Sequence, residues 1–315
     1  MKRKLSFVIP CYGSERTIAQ VIQEIVSTVK QEDDYEIICV NDSSPDHVLE
    51  VLEELASALE QLKVISFTKN FGQHNALMAG YRQANGDIII SLDDDGQTPA
   101  TECYKLIDAL GDDLDVIFAR YPEQKQSLYR RIGSSFASMM GQMMMGSPKE
   151  LYGSSFFACK RLIVDEITRY ENPYTFIAGL IFRSTDKLGN VDITHNERAY
   201  GKSGYSFKKL VSLWLNGFTS FSVKPLRVAS VVGFAIAAIG FIFGVYTIIN
   251  RLLHPDMAQG YSSLMAVILF IGGMLMVMLG LLGEYVGRIF ISLNKAPQYV
   301  IRETVNINKE EELYG

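Results

Sequence analysis

The sequence has no CxxC pair, no GxGxxG turn after its first apolar run, no internal repeat, and only one tryptophan and four histidines in 315 residues. Each shortage narrows the field. Without paired cysteine spacing there is no zinc ribbon and no dithiol redox motif. The four cysteines, Cys11, Cys39, Cys103 and Cys159, read instead as buried free thiols of a reducing compartment. Without the glycine-rich turn, a soluble dinucleotide enzyme is disfavoured. The net charge is −5, so the excess of basic residues that marks a nucleic-acid binder is missing. The opening MKRKLSFVIP carries only a short apolar run closed by Pro10, and reads as a first strand rather than a signal peptide.

What is plentiful is apolar surface. Hydrophobic residues make up 48% of the chain, so they must be concentrated somewhere. Val228–Ile249 and Gly260–Gly283 contain no charged residue. Each is long enough to cross a hydrocarbon core, which takes about 20 helical residues. Lys224 and Arg227 precede the first run, and Arg288 and Lys295 follow the second. The excess of positive charge on cytoplasmic flanks then places both ends, and everything before them, in the cytoplasm of a multi-pass inner-membrane protein. Just ahead, SFKKLVSLWLNGFTSFSVKPLR alternates basic residues with Phe, Trp and Leu. That suits a helix lying in the membrane interface, or a helix packed on the preceding domain. The expected division is 1–204, a catalytic domain; 205–227, an interfacial segment; 228–287, a two-helix anchor; and 288–315, a cytoplasmic tail with a solvated end. Small residues such as Gly272 and Gly273 would allow spans to pack closely, which suits a homo-oligomer.

The first 120 residues alternate two periods. LSFVIP, YEIICV, KVISF, DIIISL and DVIFA are short β-rich runs, with helix-period segments between them at 17–29, 48–59, 74–83 and 100–110. Alternation of this kind predicts an α/β fold, a Rossmann-like and mostly parallel sheet covered by helices. Ligands then bind at the carboxyl ends of the strands. The polar clusters CYGSER, NDSSPD, KNFGQHN and DDDGQTP all fall there. Further strands are expected in LYGSSFFACK and NVDITHN, with a helix near 162–169.

Three adjacent acids, Asp93, Asp94 and Asp95, close the fourth strand. Two carboxylates ~4 Å apart repel by about 4 kcal/mol at an effective dielectric near 20, so a cation is expected beside them. If the chain stays extended, Asp93 and Asp95 share one face and Asp94 takes the other. Gln97 rejoins the first face after Gly96. Asp93, Asp95 and Gln97 form a hard oxygen set suited to Mg²⁺ or Mn²⁺. Thr98 and Pro99 are expected to cap and start the next helix. Asp42 has two readings, a contact to a base or ribose and an Asx-turn in NDSS. Glu15 either caps the first helix or reaches a ribose. Asn70 and Gly72 lie at a strand-to-helix turn where glycine allows close backbone approach. His74 is a weaker candidate for a phosphate contact. Arg120, Lys125, Arg130, Arg131, Arg198 and Lys202 gather between the acids and the apolar runs, which suits an anionic, membrane-bound substrate.

VIPCYGSE, VNDSS, KNFGQHNALMAG, GDIIISLDDDGQTP, ERAYGKSGYSF and LLGEYVGRIF together resemble the polyprenyl-phosphate glycosyltransferases. These are inverting membrane enzymes of the dolichol-phosphate mannose synthase type. The bacterial members with two transmembrane helices, the undecaprenyl-phosphate glucosyl- and formamidoarabinosyltransferases, look most similar. The resemblance covers residues 5 to 300. It implies a GT-A fold and transfer of a sugar from a nucleotide sugar, uridine-linked such as UDP-glucose, to polyprenyl phosphate. It implies that Pro10, Tyr12, Glu15 and Asp42 hold the nucleotide, joined by Asn70, Gly72 and Asp94. Asp93, Asp95 and Gln97 carry the metal on the diphosphate. Arg120, Arg130 and Ser134 contact the acceptor phosphate or the diphosphate, Lys202 the acceptor phosphate, and Arg198 neutralises the leaving diphosphate. Asp95, Arg130 and Arg198 are the catalytic set.

Three departures from the family pattern stand out. Gly13 replaces an Asn and Gly204 replaces a Lys. Leu151 and Phe157 replace an Asp and an Arg, and Glu150 is expected to face the other way. These two positions are expected to alter sugar recognition and not to remove activity. Two rival readings follow from the departures: a non-catalytic scaffold keeping the fold, and a transferase acting on a hydroxyl, which would need a base.

Overall fold

The computed structural model describes residues 3–121, 151–194, 224–253, 261–294 and 296–307. Arg130, Ser134, Arg198 and Lys202 lie outside these, as do Lys125, Arg131 and most of the expected interfacial segment. The chain divides into two compact units: residues 1–206 with 296–315, and residues 207–295.

The first unit is built on one eight-stranded sheet. Its strands are β1 (Lys4–Cys11), β2 (Asp34–Asn41), β3 (Leu62–Phe67), β4 (Ile88–Ser91), β5 (Val116–Arg120), β6 (Phe157–Lys160), β7 (Leu188–Asp192) and β8 (Ile301–Val305). The spatial order is β7-β5-β6-β4-β1-β2-β3-β8. The helices are α1 (Ile18–Thr28), α2 (Val48–Ala58), α3 (Gln73–Gln83), α4 (Cys103–Leu110, led by a 3₁₀ turn at Ala100–Glu102), α5 (Arg161–Ile167) and α6 (Ile177–Ser184). The five expected strands and four expected helices of the first 120 residues are all present.

The sheet is mostly parallel, as expected, with two antiparallel strands in it. β1 pairs in parallel with both β2 and β4, and β2 with β3. β6, however, slots between β4 and β5 antiparallel to both. β8 runs antiparallel along β3, so residues 301–305 of the expected tail belong to the sheet. A strand on an open edge satisfies backbone groups that would otherwise recruit another chain.

Strand alternation sorts the core. Leu5, Phe7, Ile9, Ile37, Cys39, Leu62, Val64 and Ile90 pack with Ile18, Ile22 and Ile25 of α1, Leu52 of α2 and Leu106 of α4. Val8 and Val40 face the other way, onto α3. Gly80 makes this approach possible, since a Cβ there would lie 2.4 Å from Val8 Cγ1. All four cysteines are buried and free, as expected.

The second unit holds α7 (Lys224–Leu253) and α8 (Tyr261–Leu293). Both contain stretches long and apolar enough to cross a membrane, and those stretches are not buried within the protein. At 1.5 Å per residue the helices are about 45 and 50 Å long. Within this unit they are not packed as core helices, and Phe234, Phe241, Met276 and Val277 present large apolar surfaces outward.

Candidate active site

The carboxyl ends of β1 to β5 gather the polar loops on one edge, and the triple-aspartate turn sits among them. β4 ends at Ser91, so the acids lie in a turn rather than on an extended strand. Gly96, at φ +73°, completes the reversal. The three carboxylates have separate surroundings. Asp94 turns toward the loop after β1, where its Oδ2 accepts the Tyr12 N–H at 2.8 Å. Burial pushes its carboxyl up to about 6, against the pull of the Ser14 hydroxyl and the Tyr12 amide. Asp93 accepts from Gln73 Nε2 at 3.0 Å and from the Ser155 hydroxyl. Asp95 Oδ1 accepts the backbone N–H of Gln97 at 3.0 Å, closing the turn.

Asp93 and Asp95 both act on Tyr121. Its hydroxyl is pushed up to about 12, mainly by burial, with the two carboxylates adding to the shift and Ser154 opposing it. The expected division of the acids therefore holds for Asp94, but a turn produces it and not strand alternation. Thr98 is not a helix cap. Its Oγ1 accepts the Asp93 N–H at 3.3 Å, and the following 3₁₀ turn takes Pro99 as its cap residue. Bracing the acid turn uses the oxygen that a cap would need.

Asp42, at the end of β2, is buried and bridges two loops. Its carboxylate accepts the N–H of Phe71 at 2.6 Å and of Gly72 at 2.8 Å. Burial raises its pKa, and the two amides work against that. The side-chain bond that closes NDSS comes from Asn41, not Asp42: its Oδ1 accepts the Ser44 N–H at 3.0 Å. Gly72 sits at φ +91° and leads α3. Asn70 beside it is exposed. Glu15 reaches α2 instead of capping α1: its Oε2 accepts the His47 N–H at 3.3 Å. Asp46 accepts the Glu15 N–H, the Ser44 hydroxyl and the Val48 N–H. Burial opposes them, but together these bonds hold its carboxyl below the usual range. Pro10 is buried in β1, and Tyr12 is 54% exposed at its end.

Arg120 ends β5 on the same edge, and its Nε donates to Asp192 Oδ1 at 2.6 Å. The expected phosphate contact thus already has a carboxylate partner, with both side chains about half exposed. His74 is not a cation. Burial lowers its pKa to about 4, so it stays neutral and packs edge-on against Phe176 at 5.2 Å. No group of three or more His, Cys, Asp or Glu side chains forms a metal cage among the described residues. Two carboxylates with hard oxygens remain in Asp93 and Asp95. Their chemistry fits a cation that takes its other ligands from water and a diphosphate.

The profile of glycosyl transferase family 2 matches residues 6–168, and that of the GtrB C-terminal hairpin matches residues 224–289. The chain belongs to glycosyl transferase family 2. An undecaprenyl-phosphate 4-deoxy-4-formamido-L-arabinose transferase of Proteus mirabilis is 36% identical over 311 residues, 97% of this chain and 95% of that one. Its namesake in Yersinia pestis is 34% identical over 313 residues, covering 98% and 96%. Among solved structures, glucosyl-3-phosphoglycerate synthase from Mycobacterium tuberculosis, in complex with Mn²⁺ and UDP-glucose, superposes with a TM-score of 0.53. The identity is 18%, and the match covers 69% of this chain and 77% of that one. At that identity the likeness concerns the GT-A fold.

In this family 2 transferase the two departures at 151 and 157 separate. Phe157 lies in β6, 3% exposed, with its ring 5.4 Å from Phe118. It packs in the core, which does not favour the expected contact with a sugar. Leu151 is partly exposed, just before Tyr152, whose N–H and C=O both bond to the Asn190 side chain. Sequence reasoning missed Gln73, Ser155, Tyr121 and Asp46. Gln73 and Ser155 were within quoted motifs, but only folding brings them onto Asp93.

Proposed function

We propose that this family 2 transferase moves a sugar from a uridine-diphosphate sugar to the phosphate of an undecaprenyl-type lipid at the cytoplasmic membrane face. The observation that carries the reading is one chain holding both the paired carboxylates Asp93 and Asp95 at a GT-A strand edge and a hairpin of two apolar helices. The named relatives, aligned over nearly the whole chain, support the acceptor.

The acceptor needs little help from a base. A phosphate monoester has a second pKa near ~6 and is mostly dianionic at neutral pH. Its oxygen lone pair attacks the anomeric carbon, the bond from that carbon to the diphosphate breaks, and the nucleoside diphosphate leaves with the electron pair. No proton has to be removed in that step, which agrees with an uncharged Leu151. Asp93 and Asp95, with Gln97 closing their turn, would hold Mg²⁺ or Mn²⁺. When bound, such a cation offsets the charge of the leaving diphosphate. Tyr12 offers an exposed ring for the base, beside Pro10 and Glu15. Asp42 acts by fixing Phe71 and Gly72, next to Asn70, and Asp94 acts by fixing the Tyr12 amide. Arg130, Ser134, Arg198 and Lys202 supply the phosphate-side charge and hydrogen bonds, and Arg120 joins them only by exchanging Asp192 for phosphate.

The test is a panel of nucleotide sugars, including UDP-glucose and UDP-4-deoxy-4-formamido-L-arabinose. Each is given to the purified full chain with undecaprenyl phosphate, with and without chelator. One donor is expected to yield lipid-linked sugar, and chelation to stop it. Asp95→Ala is expected to lose at least about 10²-fold in rate, the scale of one electrostatic contact. No product with any donor would end the proposal, and an unaffected Asp95→Ala would end the metal assignment.

A further inference from the structure

We propose that the segment leading into β8, which follows the membrane hairpin in the chain, positions the nucleotide-side loops of the site through Gln298 and Tyr299. The inference rests on the proposed function for what those loops bind, and on geometry for the rest.

A strand that only closes a sheet edge needs ladder bonds and a charged outer face. The chain leading into β8 has more. Gln298 is 6% exposed, and its Nε2 donates to Asn172 O at 3.1 Å, to the Thr175 hydroxyl and, at 3.4 Å, to Tyr170 O. Tyr299 stacks on Phe67 with ring centroids 5.1 Å apart. Its hydroxyl accepts from Arg82 Nη1 at 2.8 Å, and Arg82 Nη2 donates to Thr168 O and Tyr170 O. Val300 O accepts the Thr68 N–H at 3.0 Å, and Arg302 donates to Thr68 O at 3.2 Å. Four positions, 298, 299, 300 and 302, thus hold residues 168–175 on one side and the start of the 68–72 loop on the other.

The two held loops meet each other at the site. Asn75 Nδ2 donates to Phe71 O at 2.9 Å and to Pro173 O at 3.3 Å. The ring of His74 rests edge-on against Phe176. From there the path reaches the acids: Phe71 and Gly72 are the amides on Asp42, and Gln73 donates to Asp93. A buried amide spent on the carbonyls of a neighbouring loop fixes that loop's position, since each of those carbonyls otherwise needs another partner. Gln298 and Tyr299 are therefore positioning residues: they touch neither reacting group, and they set where the amides beside Asp42 and the Gln73 side chain stand.

The experiment uses the full-length chain in detergent, with UDP and Mn²⁺ as the probe by calorimetry, and hydrogen exchange read by segment. Gln298→Ala is expected to weaken UDP on the order of tenfold, the scale on which outer-shell groups orient a site. Exchange should quicken at 68–76 and 168–176 and stay unchanged in β1 and β2. Tyr299→Phe keeps the ring on Phe67 and should retain more UDP affinity than Tyr299→Leu. Asn306→Gly is the control. It removes bonds from the far end of β8 to Ala56 O and Leu62 O, touching neither loop. It should lower the unfolding midpoint while leaving UDP affinity and loop exchange intact. If Gln298→Ala behaves like that control, β8 only closes the sheet and the proposal fails. If the unmodified protein binds no UDP, the donor assignment fails, and the exchange comparison alone still decides the role of the segment leading into β8.

Discussion

Three adjacent carboxylates persist at the end of β4 because each is met by different groups. Asp94 is partly buried against the β1 loop, Asp93 is held by two neutral donors, and Asp95 is tied into its own turn. The same loops give a titration with a definite sign at His74. Its folded pKa is about 4, below the ordinary 6.5, because burial disfavours the charged ring. Above about pH 6.5 the ring is neutral in both folded and unfolded chains and costs nothing. As pH falls from there toward 4, the unfolded chain takes a proton that the folded one refuses, and stability is lost. The shift bounds that loss at about 3 kcal/mol. Denaturant unfolding at pH 7.5 and 4.5 should show the loss. His74→Phe keeps an aromatic ring against Phe176 and should shrink it by a comparable amount. An identical pH slope in the variant would show that His74 is not the group responsible.

At the scale of elements, the β-branched runs and the helical periods between them were enough to place β1 to β5 and α1 to α4. The later elements were harder, for a physical reason. β6 and β8 are short, and their pairing depends on partners 68 and more than 230 residues away, Ile90 with Ala158 and Val64 with Val305. Asp42 shows the same limit. The sequence allowed a base contact or a local turn, and its actual partners are amides 29 and 30 residues on. Helix α3 was legible by period, but its closeness to the sheet depends on one residue. A methyl on Gly80 would lie 2.4 Å from Val8 Cγ1 and 3.4 Å from Val40 Cγ2. Both neighbours are β-branched and stiff at χ1, so they have little freedom to yield. Gly80→Ala should therefore destabilise the catalytic unit by about 1–3 kcal/mol, the usual cost of overpacking. Val8→Ala in the same chain should return part of that loss. Two additive losses would show that the contact with Val8 is not the cause.

At the scale of the whole molecule, β8 constrains the membrane topology independently of charge bias. It follows both apolar helices in the chain, yet it hydrogen-bonds to β3, which precedes them. Strands of one sheet lie on one side of a membrane. The chain must therefore cross an even number of times between residues 206 and 296, and two helices long enough to cross meet that condition. Lys224, Arg227, Arg288 and Lys295 flank the pair with positive charge, the bias expected of a cytoplasmic side. The four native cysteines are buried, so introduced ones can be read with a membrane-impermeant maleimide. Gln259→Cys, between the helices, should label in intact cells. Asn308→Cys, just beyond β8, should label only after permeabilisation. Labelling of Asn308→Cys from outside would contradict a β8 paired with a cytoplasmic β3. Protection of both positions until permeabilisation would mean that the helices do not cross, and that the hairpin enters and leaves by the same face.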